Sequence, residues 1–316
     1  MSFVGRTAGY PDMSSTGQGR YTPQIYAQKT LIKFYLTTVF GEIANTDYEG
    51  EITKAGDKVV IRTVPDVTIR DYVKGQDLNY ETPDGADVEL DINRAKYFAL
   101  KIDSIDKLQN DINMMDKWTE DGGKQMAIVI DRDILSSIYL DADALNQGAT
   151  AGAVSGSYNL GTAGSPLTIS KDGVTGGTVS ALDVIMDAEA VLSEQNVPED
   201  EERWIILPTW MCNLLQKGDL RRADVQGETA AQGVLRNGKL GKLGQFTVYR
   251  SNNLYVSGGN TYIPFGHKSA VTFASQLVDT ETLPHPTAFG QIMRSLNVYG
   301  YKTVKKPALG VIVAKK

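Results

Sequence analysis

The stretch Asp87-Val88-Glu89-Leu90-Asp91-Ile92-Asn93 alternates polar and apolar residues without a break. A period of two commits it to a half-buried β-strand. Upstream, Val59-Val60-Ile61-Arg62-Thr63-Val64 and Val67-Thr68-Ile69-Arg70-Asp71-Tyr72 are β-branched strand material, and downstream Tyr97, Phe98, Leu100 and Ile102 form a returning strand. Between the arms lie the turn-formers Lys74-Gly75-Gln76 and Glu81-Thr82-Pro83-Asp84-Gly85. The simplest reading of residues 56–103 is one long two-stranded excursion. With ~15 residues per arm it reaches roughly 50 Å. A lone ribbon is marginal in water, so it predicts a support, which need not come from its own chain.

The rest of the chain alternates helix and strand signals in an α+β order. Residues 1–21 are rich in Gly, Ser and Thr and read as an arm. Thr22-Pro23 opens a helix whose apolar face runs from Ile25 to Phe40, with Gly41 as its stop. A helical region from Ser104 to Asn146 is expected to be interrupted at Gly122-Gly123 and ended by Gly148. Its second part, Lys124–Asn146, is a spine of ~35 Å at 1.5 Å per residue. Residues 147–180 read as loop or small sheet. Then come a helix with Leu182, Ile185, Met186 and Leu192 that ends near Asn196-Val197-Pro198, the buried strand Trp204–Leu207, and a helix over Pro208–Lys217 stopped by Gly218. Strands follow at Phe246–Tyr249, Thr261–Phe265, Ala270–Phe273, Leu296–Lys302 and Ala308–Ala314. No repeat recurs at a fixed period.

Catalytic and metal chemistry is hard to find in this pattern. The single cysteine excludes an internal disulfide, and two distant histidines exclude most His-based metal sites. Cys212 falls in an amphipathic helix, as a buried, inert thiol. His285 is held between two prolines and His267 is placed in a turn; both read as structural or surface histidines. Gly238–Gly244 lacks the Lys-Ser/Thr ending of a phosphate loop and reads as a basic hairpin turn. Ser155 misses the nucleophile-elbow spacing. The run Glu199-Asp200-Glu201-Glu202 could bind a cation, but reads as solvated charge. No cofactor or metal is expected. The formal net charge of −6 disfavours specific binding to nucleic acid. The first residues lack a signal-peptide core, and no apolar run approaches the ~20 residues that span a bilayer, so a reducing cytoplasm, or a particle assembled in it, is the expected setting.

Charge is distributed unevenly. Residues 65–94 carry eight acids against three bases, and residues 294–316 carry six bases and no acid. An acidic excursion resting on a basic patch of a second copy accounts for this. The candidate contact residues are Arg70, Lys74, Asp77, Glu81, Asp84 and Asp87 on one side and Arg294, Lys302, Lys305 and Lys306 on the other. Two unrelated solvated faces would account for it equally well.

The order of parts resembles the major capsid proteins of tailed phages, with the Hong Kong 97-type fold, and more closely the branch of the phage P22 coat protein. The most specific portions are Asp183 to Leu192 with Asn196-Val197-Pro198 and Arg203-Trp204-Ile205-Ile206-Leu207-Pro208; Gly244 to Leu254; and Tyr299-Gly300-Tyr301-Lys302 with Pro307-Ala308-Leu309. The resemblance implies an N-terminal arm (1–50), an extended β-loop (51–104), a spine helix with peripheral domain (105–179), an axial domain (180–290) and closing peripheral strands (291–316). It further implies pentamers and hexamers of an icosahedral shell around double-stranded DNA that is contacted unspecifically. A separate scaffolding protein and a portal protein are implied as partners, a decoration protein stays open, and no membrane is involved. Some relatives crosslink through a loop lysine; Lys74 lies near the predicted tip, but no partner motif accompanies it and no crosslink is expected. An encapsulin-type compartment on the same fold and a soluble α/β enzyme with a cleft near Gly241 are the alternatives.

Overall fold

The structure, a computed structural model, describes residues 38–46, 58–62, 67–72, 74–82, 85, 87–103, 114–171, 173, 176–217 and 241–316. The helix expected from Pro23, most of the arm, Asp84 and the segment Gly238–Leu240 lie outside them. In chain order the elements are α1 (Phe40–Ile43), β1 (Lys58–Arg62), β2 (Asp87–Asp91), β3 (Arg94–Asp103), α2 (Met114–Leu135), β4 (Leu167–Ser170), β5 (Thr178–Ser180), α3 (Ala181–Glu194), β6 (Arg203–Leu207), α4 (Thr209–Lys217), β7 (Lys242–Leu243), β8 (Phe246–Arg250), β9 (Val256–Ser257), β10 (Asn260–His267), β11 (Val271–Pro284), β12 (Gly290–Thr303) and β13 (Leu309–Lys315).

The larger sheet runs β5-β4-β13-β10-β6-β8-β7, with β9 added on β10. Its central strands are buried for most of their length because both faces are covered. All five residues of β6 are buried, as are Leu309–Ala314 of β13. Val184, Ile185, Val191 and Leu192 of α3 and Met211, Cys212 and Leu215 of α4 join Trp204, Phe246, Phe265 and Ile312 in one core. The ends of α3 are set by side-chain chemistry. Ser180 accepts the Leu182 N–H at the start. At the finish Asn196 takes a positive φ of 56°, while the Val197 N–H reaches the Leu192 carbonyl and the Asn196 N–H the Ser193 carbonyl. That pair of bonds closes the helix in the usual left-handed cap.

The smaller sheet is β11-β12-β3, all antiparallel, with a register shift at Leu277/Asp279. Residues of β3 alternate half-buried and exposed, and the half-buried set, Arg94 and Phe98 among it, faces α2. There α2 passes Gly122 over the Phe98 ring, where a Cβ would stand 3.1 Å from ring carbons. The expected interruption at Gly122-Gly123 therefore does not occur: the helix is continuous through both, since the space Gly122 leaves is taken by Phe98. At its other end the spine is shorter than expected, because α-helix stops at Leu135 and gives way to two single 3₁₀ turns, Ile138–Asp141 and Ala144–Asn146. Twenty-two residues of α2 span about 33 Å.

The projecting limb also differs from expectation. β1 pairs with β2 over only five residue pairs, Lys58↔Asp91 to Arg62↔Asp87. β3, expected as the returning arm, pairs instead with β12. Residues 67–72 are not in a strand, and among the described residues no strand pairs with them. Ile61, Leu90 and Ile92 anchor the base of the limb against Ala274 and Val298. Gly300 makes that seat possible, since a Cβ there would collide with the Asp91 carbonyl oxygen.

Candidate interaction surfaces

Beyond β1 and β2 the limb is held by a few polar contacts. The Thr68 N–H donates to Glu81 Oε1 at 2.7 Å, and Arg70 lies 3.4 Å from Glu81 Oε2. Its described apolar side chains are open to solvent: Ile69 is 90% exposed and Tyr80 86%, and Val67, Tyr72 and Leu78 are exposed as well. Five large apolar side chains exposed on one short excursion suit an interaction surface. Lys74, Asp77 and Asp87 are exposed beside them.

The basic side is not one patch. Arg294 on β12 is committed to Glu281, directly opposite on β11, with Nε 2.8 Å from the carboxylate. Lys302 sits eight residues further along the same strand, about 27 Å away. Lys302, Lys305 and Lys306 are exposed together where β12 turns toward β13. That turn is fixed by the Val304 and Lys305 N–H groups donating to the Ala270 carbonyl. The candidate residues thus divide into Arg70, Glu81 and Arg294, which have partners in their own chain, and Lys74, Asp77, Asp87, Lys302, Lys305 and Lys306, which present charge to solvent.

Two carboxylates on α2, neither singled out in the sequence, join the parts. Buried Asp131 accepts the Val39 and Phe40 N–H groups at 3.0 and 2.9 Å and the Asn253 amide at 2.7 Å, tying α1 and the loop after β8 to the spine. Asp133 accepts Arg94 at 2.7 Å and the Tyr299 hydroxyl at 2.6 Å. The Arg94 guanidinium also lies over the Tyr301 ring, 4.5 Å from its centroid. Burial pushes the Asp133 carboxyl up, but the bonds from Tyr299 and Arg94 and the Arg94 charge outweigh it and hold the carboxyl below its ordinary range. Burial and the Asp133 carboxylate push the Tyr299 hydroxyl well up. Carboxylates that satisfy backbone and side-chain donors over such sequence distances leave no local signature.

Little here resembles a reaction centre. The Cys212 thiol is buried and pushed up by that burial to about 11, so it is neither ionised nor accessible. A cleft of about 550 Å³ lies between Lys96, Val129, Arg132 and residues 252–256, and its lining carries neither Cys nor His. His267 is not in a turn, as expected, but ends β10 and is buried. The β6–β10 pairing, His267↔Arg203, draws it to Asp200 and Glu202, so part of the acidic run is not simply solvated. Among the described residues no helix is long and apolar enough to cross a membrane.

A family model described as phage capsid protein matches residues 87–311. Among solved structures, one of Mycobacterium phage Che8 is similar at 25% identity, with a TM-score of 0.71 over 92% of this chain and 97% of that one. The capsid of the cyanophage P-SCSP1u is similar over the full length of both chains, at 17% identity and a TM-score of 0.67. The capsid of a native GTA particle is similar over 95% of this chain and 97% of that one, at 13% identity and a TM-score of 0.63. No curated protein matches the chain in sequence.

Proposed function

We propose, for a chain that belongs to the phage capsid protein family and has the α+β Hong Kong 97-type fold of tailed-phage shells, that it builds an icosahedral virion shell by packing its limb onto a neighbouring copy. Membership makes the protein structural, not enzymatic, and sets aside the compartment and soluble-enzyme alternatives. Copies would meet as pentamers and hexamers around double-stranded DNA, with a scaffolding protein and a portal protein as further partners. The overall acidity would keep contact with that DNA unspecific. Within the family, the stretch Arg203–Pro208 and the run Gly244–Leu254 favour a place nearer the P22 coat branch.

The observation that carries the mechanism is the limb itself. Its Ile69, Tyr72, Leu78 and Tyr80 are exposed in the single subunit, and burying such side chains is worth about 1.5–3 kcal/mol each. A neighbouring copy is the surface present at the right stoichiometry. Three weak contacts per subunit, from arm, limb and axial tip, would sum over a shell while each stays reversible. Charge sets the register: Lys74, Asp77 and Asp87 lie on the limb, and Lys302, Lys305 and Lys306 are the receiving patch, with Asp84 as a further limb acid. Arg70, Glu81 and Arg294 would then shape their own surfaces rather than bridge copies. The domain map is proposed as arm, loop, spine with peripheral domain, axial domain and closing strands. Sheet membership favours moving β11 to the peripheral part and β13 to the axial part.

The test is the variant Lys302→Glu, Lys305→Glu, Lys306→Glu, produced with its scaffolding partner. The expected result is a subunit with an unchanged melting temperature and a tenfold or greater loss of shells by electron microscopy, on the order of the ~1.4 kcal/mol that a reversed contact supplies. Normal particles from this variant would remove the charge register.

A further inference from the structure

Asp200, Glu202 and His267 come together where the loop between α3 and β6 meets the end of β10. One ligand atom from each lies within 4.8 Å of the other two. The imidazole is 4% exposed, and its Nδ1 is engaged by Ser269, 2.8 Å from Oγ and 3.1 Å from N. That contact turns Nε2 toward the carboxylates, 2.9 and 3.1 Å from the two Asp200 oxygens and 3.8 Å from Glu202 Oε2. The Ser269 N–H donates to Nδ1, which leaves Nε2 to carry the ring hydrogen. Asp200 takes it, and the Glu202 carboxylate stands against the same nitrogen beyond hydrogen-bond reach. Two anions facing one nitrogen is an arrangement that a cation resolves.

The loop that brings the two carboxylates is held from behind. The Arg203 guanidinium, fully buried, donates to the Val197 carbonyl at 2.6 Å, the Pro198 carbonyl at 2.9 Å and Ser193 Oγ at 3.0 Å. The Glu202 N–H caps Asp200 Oδ1 at 3.0 Å, and the Lys268 N–H bonds the Glu202 carbonyl at 3.1 Å. Glu201, between the two carboxylates in sequence, is paired with Lys242 at 2.5 Å. Ligands fixed by strand pairing and by a buried guanidinium pay little reorganisation on binding.

We propose that Asp200, Glu202 and His267 bind one divalent transition-metal ion of the zinc class, through one oxygen from each carboxylate and Nε2 of the imidazole. One nitrogen with two carboxylates suits zinc, cobalt, nickel or manganese better than calcium or magnesium, which prefer oxygen alone. The two carboxylates are about half exposed, so solvent fills the remaining coordination positions. The proton bookkeeping closes within the ring. Nε2 gives up its hydrogen and Nδ1 carries one instead, so Nδ1 surrenders the bond it accepts from the Ser269 N–H and donates to Ser269 Oγ; an oriented second nitrogen of this kind is usual for a metal-bound histidine. The bound ion would pin the 198–202 loop to β10. This site is independent of the shell-building reading, and neither stands or falls with the other.

The test uses the full chain, stripped with a chelator and titrated with Co²⁺, then Zn²⁺. The expected result is one ion per subunit, a visible cobalt band displaced by zinc, and a melting temperature that rises with metal and falls back with chelator. Asp200→Asn with Glu202→Gln should abolish the band and weaken binding by about tenfold or more, while melting without metal stays near wild type. Should that variant misfold, wild type still decides: the chain has only two histidines, so ¹⁵N-histidine spectra report whether Nε2 of His267 takes the ion. No stoichiometric binding, a shifted His285 with His267 unmoved, or equal binding by a folded double variant would each overturn the site and leave an ordinary hydrogen-bonded His267–Asp200 pair.

Discussion

Asp133 concentrates more of the architecture than any charged residue on the limb. It takes a guanidinium from β3 and a hydroxyl from β12 while standing on α2, so one carboxylate joins the spine to two strands of the smaller sheet. Asp133→Asn keeps the shape, loses the charge and weakens both bonds. Allowing for the partial exposure of Arg94, the expected cost is about 1–2 kcal/mol, read as a lower melting temperature at neutral pH. The pH dependence has a fixed sign. A carboxyl held below its ordinary range contributes fully above its unfolded value, about 3.9, and loses that contribution as pH falls through the lower folded value. The gap between wild type and Asp133→Asn should therefore be constant near neutrality and shrink in acid. A gap that persists unchanged to pH 2 would assign the role of Asp133 to packing. The surface residues were only half legible. Counting charge along the chain found the basic run, but could not see that Glu281 stands opposite Arg294 across a ladder, or that Glu81 already serves Arg70.

At the scale of elements, the limb depends on how its base is seated. Gly300 is the point of contact: its missing side chain lets the Asp91 carbonyl lie on β12. Gly300→Ala is expected to cost about 1–3 kcal/mol by overpacking and to lift β1 and β2 from the sheet. Limited proteolysis should cut the limb several-fold faster, while the larger sheet keeps its protection; an unchanged cleavage rate would show that the base adapts. Elements with a local period were readable from sequence. The alternation at Val88, Leu90 and Ile92, the face of α3 and the apolar run Trp204–Leu207 of β6 are each complete within a few residues. Strand partners were not. β3 begins three residues after β2 ends yet pairs with residues 290–303, and nothing in either segment names the other. Glycine misled for a related reason. Each one disfavours helix by about 1 kcal/mol, and in α2 that local cost is outweighed by a ring from another element that only the fold brings near.

For the molecule as a whole, the body and the limb are separable in a way the individual elements are not. Because Arg62 and Asp87 face each other, residues 63–86 can be replaced by a two-residue Asn-Gly turn that suits a hairpin. The shortened chain should melt within a few degrees of wild type and form no shells with its scaffolding partner. Shells of normal size from it would mean that other contacts drive assembly. Nothing comparable can be done to β13, which lies between β4 and β10 and is bonded to both.

The placing of β13 has a consequence for synthesis. On the ribosome, every strand that flanks it emerges first, and each must wait with an open side until residues 309–315 have left the exit tunnel. A nascent chain consequently cannot close its larger sheet, however long translation pauses upstream of that point. A product that ends before residue 309 lacks this strand, and β4 and β10 then each keep an open edge where β13 would pair.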